Sequence, residues 1–234
     1  MINTSLDFAE LNSIYKYDNR LRIYDVLATQ ISEELHELAK TQVPYFLAYT
    51  SDSRPSVMKP NEFDAMPRDQ RHEFWARRYE QASRGIGYVY KGFMPKNANL
   101  GADNTLLPLK AFADYWTSEA VIEKIRQLSG MRDLTHSDAQ FTCLLPGHFL
   151  TRHRDTDPSE KRRLAYTIGL TKNWHPDWGG LLQFYEDDGT PRDSWAPKFN
   201  TLSIFDIDHI HSVTHITPYA LEPRLSIVGW FYSN

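Results

Sequence analysis

"HFLTRHRDTDPSEKRRLAYTIGLT", residues 148–171, decides how the second half of the chain reads. Apolar and polar side chains alternate with period two in "FLTRHRD" and again in "LAYTIGLT", and Asp157-Pro158 lies between them as a turn signal. Period two is the repeat of a strand with one buried face. The same rhythm continues on both sides, in "AQFTCLL", "GLLQFYED", "TLSIFDID", "HSVTHIT" and "RLSIVGWFY". Pro146-Gly147, Gly179-Gly180, Asp187-Asp188-Gly189 and Thr217-Pro218 punctuate them. Short strands at regular spacing predict a sandwich, jelly roll or barrel. His148 and Asp157 read as turn residues within this scheme.

Upstream of about residue 130 the periodicity is helical. "VLATQISEELHELAK" (26–40) places Ile31, Leu35 and Leu38 on one face. "MPRDQRHEFWARRYEQASRG" (66–85) has Pro67 near its start and Gly85 as a stop. "LLPLKAFADYWTSEAVIEKIRQLSG" (106–130) reads as two helices, the second capped by Ser118, with Glu119 in its first turn and Gly130 at its end. Between them, "IGYVYKGFM" (86–94) is strand-like, and the polar, proline-bearing stretch 51–64 reads as a mobile loop. The expected architecture is α+β. One domain spans 1–234, with helical support over 1–136 packed on a β core over 137–234.

The composition, 41% hydrophobic and 24% charged over 234 residues, is that of a globular protein. A net charge of −4 gives no electrostatic case for nucleic acid, and Lys161-Arg162-Arg163 is the one short basic run of note. The single cysteine, Cys143, excludes an internal disulfide and suits a reducing compartment. The N-terminal residues lack the pattern of a secretory signal, and no apolar run approaches the ~18 residues of a membrane span. A cytoplasmic protein without a membrane segment is the expectation. Oligomeric state is not readable.

The chemistry starts at His153-Arg154-Asp155. On a strand, residues i and i+2 point the same way, so His153 and Asp155 aim an imidazole and a carboxylate at one place while Arg154 faces away. One further histidine would complete a two-histidine, one-carboxylate set of the kind that holds iron(II) on one face and leaves the opposite positions open. His209, His211 and His215 are all candidates, and periodicity does not choose among them. An HxD triplet alone is weak, because a strand histidine is more often structural. Arg224 adds weight. It opens the otherwise uncharged strand "RLSIVGWF", where a buried guanidinium needs an anionic partner, and Ser226 would point with it. Together they make a carboxylate clamp.

His153-x-Asp155, then His211-Ser212-Val213, then Arg224 with "SIVGWF" resembles the 2-oxoglutarate/Fe(II) dioxygenases. "RRLAYTIGLTKNWHPDWGGLLQFYEDDG" (162–189) and "PKFNTLSIFDIDHIHSV" (197–213) are similar to the prolyl hydroxylase branch of that family, including the ribosomal-protein and hypoxia-factor enzymes. The resemblance covers roughly residues 138–233. It implies a double-stranded β-helix, with His153, Asp155 and His211 as the metal ligands. Arg224 is implied to bind the far carboxylate of 2-oxoglutarate, with Ser226, Thr167 and Trp230 lining its pocket.

The pattern departs from the branch at two places where its members carry a tyrosine. Gly169 stands at one and Leu145 at the other. Asp155 argues against the halogenases of the family, which replace that carboxylate, and Trp230 stands where the nucleic-acid dealkylases carry a second arginine. The implied cofactors are Fe(II), 2-oxoglutarate and O2, with ascorbate in support, and the implied substrate is a protein or peptide prolyl residue. A free amino acid or small biosynthetic intermediate is the alternative substrate, and a non-catalytic 2-oxoglutarate sensor a remote alternative function. The aromatic segments 43–51 and 87–94 are assigned to core packing ahead of a peptide groove.

Overall fold

Strand pairing organises the computed structural model, which describes residues 1–85, 87–98, 100–101, 104–156 and 160–234. The described residues form five α-helices and thirteen strands. The first half contributes α1 (Phe8–Asp18), β1 (Arg20–Tyr24), α2 (Thr29–Thr41), β2 (Phe46–Ser51), β3 (Arg54–Met58), α3 (Arg68–Ala82), β4 (Tyr88–Phe93), α4 (Leu107–Trp116) and α5 (Glu119–Ser129). The second half contributes β5 (Leu134–Ser137), β6 (Gln140–Leu144), β7 (Phe149–His153), β8 (Arg162–Gly169), β9 (Leu182–Tyr185), β10 (Pro191–Trp195), β11 (Thr201–Asp206), β12 (Ile210–Val213) and β13 (Arg224–Ser233). The strands run in the order β1-β11-β8-β13-β6-β4-β7-β12-β9-β10, all antiparallel. The sheet curls until its two halves face each other, as a jelly roll does. Ala165, Phe205 and Trp230 from one half meet Leu182, Phe184 and Trp195 from the other.

The period-two pattern does the sorting. Leu164, Tyr166 and Ile168 of β8, Leu202 and Ile204 of β11, and Leu225, Ile227 and Phe231 of β13 turn outward into the main core. There they pack on Leu35, Phe112, Trp116, Ile125 and Leu128 from the helices. The residues between them face inward. Burial of apolar surface stabilises this sheet–helix interface by about 25 cal/mol per Å². Leu35 of α2 is buried, with Ile31 and Leu38 beside the same core, as their spacing predicts.

Several local expectations need correction. The stretch 51–64 is not a loose loop. Asp52 and Ser53, both at positive φ (49° and 60°), close a tight β2–β3 hairpin, and Met58 and Phe63 pack with Phe74. Helical periodicity did not reveal β1, β2 or β3; β1 takes its conformation from β11, far away in sequence, and β2 and β3 from each other and from β4. Helix α3 starts after Pro67 and ends at Ala82, short of Gly85. Ser118 precedes α5, but its hydroxyl donates to the Tyr115 carbonyl (2.6 Å) and caps nothing. Gly130 ends α5 in the left-handed region, φ 78°. The expected turn at Asp157 lies outside the described residues. His148 follows a turn, yet its side chain is buried against Trp75.

The basic run is consumed locally. Arg162 pairs with Glu160 and Arg163 with Asp133. No helix among the described residues is long and apolar enough to cross a membrane.

Candidate active site

Strands β7 and β12 are antiparallel neighbours, and their register sets His211 directly opposite His153. The two imidazole centroids lie 4.3 Å apart. Asp155, just past the end of β7, sits between them, with Oδ1 3.5 Å from His153 Nε2 and Oδ2 3.5 Å from His211 Nε2. The three donor atoms all fall within 4.8 Å of one another. Asp155 and His211 are buried, and His153 nearly so.

Each imidazole is oriented by the backbone. His153 Nδ1 donates to the Thr151 carbonyl (2.9 Å), and His211 Nδ1 donates to the His209 carbonyl (3.0 Å). That places both Nδ1 protons on the far side and leaves both Nε2 lone pairs facing Asp155, the tautomer a metal requires. Burial pushes His211 down to about 4, so it is neutral near pH 7. Burial also works against a charge on Asp155, but the adjacent His153 and His211 outweigh it and hold the carboxyl below its usual range. Two imidazoles and an ionised carboxylate form a donor set that suits iron(II).

The other histidine candidates are elsewhere. His209 Nε2 bonds the Asp18 carbonyl (2.8 Å), and its ring packs edge-on against Phe184. His215 stacks on Phe149, near the Tyr79 hydroxyl. Arg154 faces solvent and pairs with Asp187 (2.6 Å).

The triad lies in a cavity of about 110 Å³ between the two halves of the sheet. Arg224 lines it from β13 and is 3% exposed. Its Nη1 donates to Ser226 Oγ (3.1 Å), its Nε has no partner, and no carboxylate pairs with it among the described residues. Burial alone pulls this guanidinium down to about 10. An unpaired, fully buried cation at the end of a cavity is a site waiting for an anion. Thr167 faces the same cavity, as expected of an inward position on β8.

Trp230 also lines the cavity, but six residues along β13 from Arg224, roughly 20 Å of strand at about 3.3 Å per residue.

The two tyrosine substitutions have a structural explanation. A Cβ at Gly169 would meet the Lys198 carbonyl oxygen at 2.0 Å, so that position accepts no side chain. Leu145 packs against the main core. The cavity has a tyrosine all the same, from a different strand. Tyr90 of β4 lines it, and burial pushes its hydroxyl up to about 12. Neither Tyr90 nor Gln140 nor Thr142 was among the candidates in the sequence. The period-two repeat that groups Tyr88 with Tyr90 was the available signal, but it becomes readable only once β4 is known to sit between β6 and β7.

Residues 139–232 match the profile of the 2OG-Fe(II) oxygenase superfamily. Its members use Fe(II), 2-oxoglutarate and O2. A 107-residue stretch, 43% of the chain, is 35% identical to mouse prolyl 3-hydroxylase OGFOD1 and spans 18% of that protein's length. The fold is that of a Pseudomonas putida prolyl-4-hydroxylase, with TM-score 0.60 and 16% identity, covering 97% of this chain and 99% of the other. It is also that of a Trichoplax adhaerens prolyl hydroxylase solved with a hypoxia-inducible-factor peptide, with TM-score 0.61 and 16% identity, covering 96% and 89%. The fold class expected from the strand rhythm is the one these structures share.

Proposed function

We propose that this protein is a 2-oxoglutarate- and Fe(II)-dependent dioxygenase that hydroxylates a prolyl residue in a protein or peptide. The observation that carries this reading is the pairing, in one cavity, of the His153–Asp155–His211 cluster with the unpartnered Arg224 guanidinium. When bound, the iron and 2-oxoglutarate supply the oxidising chemistry, consuming O2 and releasing succinate and CO2 as the substrate gains a hydroxyl.

The chain supplies the rest. His153 and His211 hold their Nε2 lone pairs inward because Thr151 and His209 bind the opposite protons. Asp155 stays ionised between them. Arg224 and Ser226 take the far carboxylate of the cosubstrate, with Thr167 beside it. The apolar walls, Leu144, Leu150, Leu182 and Val213, exclude water from the reacting centre.

A prolyl substrate is supported by the relatives, each named as a prolyl hydroxylase. Ascorbate serves as a supporting reductant, and the buried, lone Cys143 suits a cytoplasmic setting. The test is succinate formation from 2-oxoglutarate with Fe(II), O2 and ascorbate, alone and with proline-containing peptides or free proline. Iron-loaded, folded protein that neither binds 2-oxoglutarate nor forms succinate would overturn the enzyme reading. Turnover stimulated by free proline and not by peptides would overturn the substrate class.

A further inference from the structure

Strand β1 pairs with β11 at the edge of the sheet and belongs to the first half of the chain, outside the matched segment 139–232. Arg20 and Arg22 occupy alternate positions on it and so share a face. Arg20 is committed. It pairs with Asp18 (2.6 Å) and Asp193 (2.5 Å), and its guanidinium lies over Phe184. Arg22 is not committed in this way. Its Nη2 donates to the Ala196 carbonyl (2.8 Å), its Nε is buried without a partner, and no carboxylate pairs with it among the described residues. Trp195 and Tyr24 flank the guanidinium, with ring centroids 5.5 and 5.7 Å away, and fix where it lies.

The register carries this position toward the cosubstrate pocket. Arg22 stands opposite Ser203 on β11, and Ser203 opposite Thr167 on β8. Arg22, Ser203 and Thr167 line a small cavity of about 10 Å³ together with Arg224 and Ser226. That is room for about one water. Thr167, Leu182 and Arg224 also line the triad cavity, so the two spaces share a wall at Arg224. The lining of the small cavity includes Arg22, Arg224 and the exposed Lys198, and no carboxylate.

We propose that Arg22 is a positioning residue for the cosubstrate, a second cation set behind Arg224 that makes the pocket select a 2-oxo acid with a far carboxylate over one without. This rests on the reading of Arg224 as the carboxylate clamp. Two unpaired cations facing one water-sized space repel each other, and little water is present to screen them. Burial pulls both guanidinium groups below their ordinary value, so both gain from an anion between them and the metal triad. A carboxylate held by Arg224 relieves the two together. A neutral chain end relieves neither.

The experiment measures, by calorimetry, how Mn(II)-loaded protein binds 2-oxoglutarate and 2-oxopentanoate, in which a methyl replaces the far carboxylate. Wild type, Arg22→Gln, Arg22→Lys and Arg224→Met are compared. Arg22→Gln keeps an amide N–H for the Ala196 carbonyl and loses the charge. It is expected to weaken 2-oxoglutarate about 5- to 30-fold, the scale of one charge acting across a single water, and to leave 2-oxopentanoate and Mn(II) within about twofold. Arg22→Lys keeps the charge and loses the fork, and should bind 2-oxoglutarate within about threefold of wild type.

Unchanged 2-oxoglutarate affinity in Arg22→Gln would overturn the proposal. So would an equal loss for both acids or for Mn(II), which marks a distorted pocket, and so would a Lys variant weaker than the Gln variant, which marks a structural arginine. If Arg22→Gln does not fold, Arg22→Lys decides. Affinity within about threefold there sustains the charge role, and a larger loss overturns it. Arg224→Met separates the two levels. No loss of 2-oxoglutarate in that variant removes the clamp, and the second cation with it, whereas a loss there beside a normal Arg22→Gln removes only the second cation.

Discussion

Arg224→Met takes a charge out of the interior while keeping a side chain of comparable reach. Burial pulls the guanidinium from its ordinary value to about 10, and at about 1.4 kcal/mol per pH unit this sets the cost of burying the charge at about 3 kcal/mol. The bond to Ser226 Oγ offsets about 1.5 kcal/mol of that. The ligand-free variant should therefore be more stable than wild type by about 1–2 kcal/mol, a rise in melting temperature of about 2–8 °C. Cosubstrate binding should move the other way. Losing hydrogen bonds from a charged donor costs about 1.5–3 kcal/mol, or about 10- to 150-fold in affinity. The assay is thermal denaturation with Mn(II) in place of iron, with and without 2-oxoglutarate. Wild type should gain about 2.7 kcal/mol at a hundred times its dissociation constant, and the variant little. A variant that melts below wild type without ligand and gains as much from 2-oxoglutarate would refute the reasoning.

Three further outcomes are expected. Alanine at His153, Asp155 or His211 should abolish iron binding, measured by equilibrium dialysis, whereas His209→Ala and His215→Ala should retain it. Burial pushes His148 down to about 3, so between there and about 6.5 the unfolded chain binds the extra proton and stability falls as pH falls. Urea denaturation at pH 7.5 and pH 5 should show wild type losing about 2 kcal/mol more than His148→Phe on that account. Gly169→Ala forces a methyl into the Lys198 carbonyl and should lower stability by about 1–3 kcal/mol, read from the same denaturation curves.

What the sequence made legible follows from range. The strands of the second half alternate cleanly because one face meets helices and the other a cavity, so the pattern and the burial coincide. His153 and Asp155 needed only the two-residue repeat. His211 needed the resemblance, because its selection over His209 and His215 depends on the β7–β12 register. Tyr90 was not legible for the same reason, since its place in the cavity depends on the pairing of β4 with β6 and β7. Strands β1, β2 and β3 carry no strong alternation of their own. The hairpin turn at Asp52-Ser53 offered a signal, but proline and polar residues around it masked the strand. Polar composition also hid α1, whose start is fixed by Asp7 accepting from the Ala9 and Glu10 amides.

The pairing of β1 with β11 has a consequence for how the chain is made. Ile23 lies against Leu202, so β1 leaves the ribosome long before its partner β11. At about 5–20 residues per second that interval is roughly ten to forty seconds. Strand β4 can pair early with β2, but its other partners, β6 and β7, come later. The apolar sides of the early helices have nothing to cover until β8, β11 and β13 arrive. Folding therefore cannot proceed from the N-terminus as a series of finished pieces. Maturation is a late, concerted event with high contact order, slow for its size, and the nascent first half is the stage most in need of a chaperone.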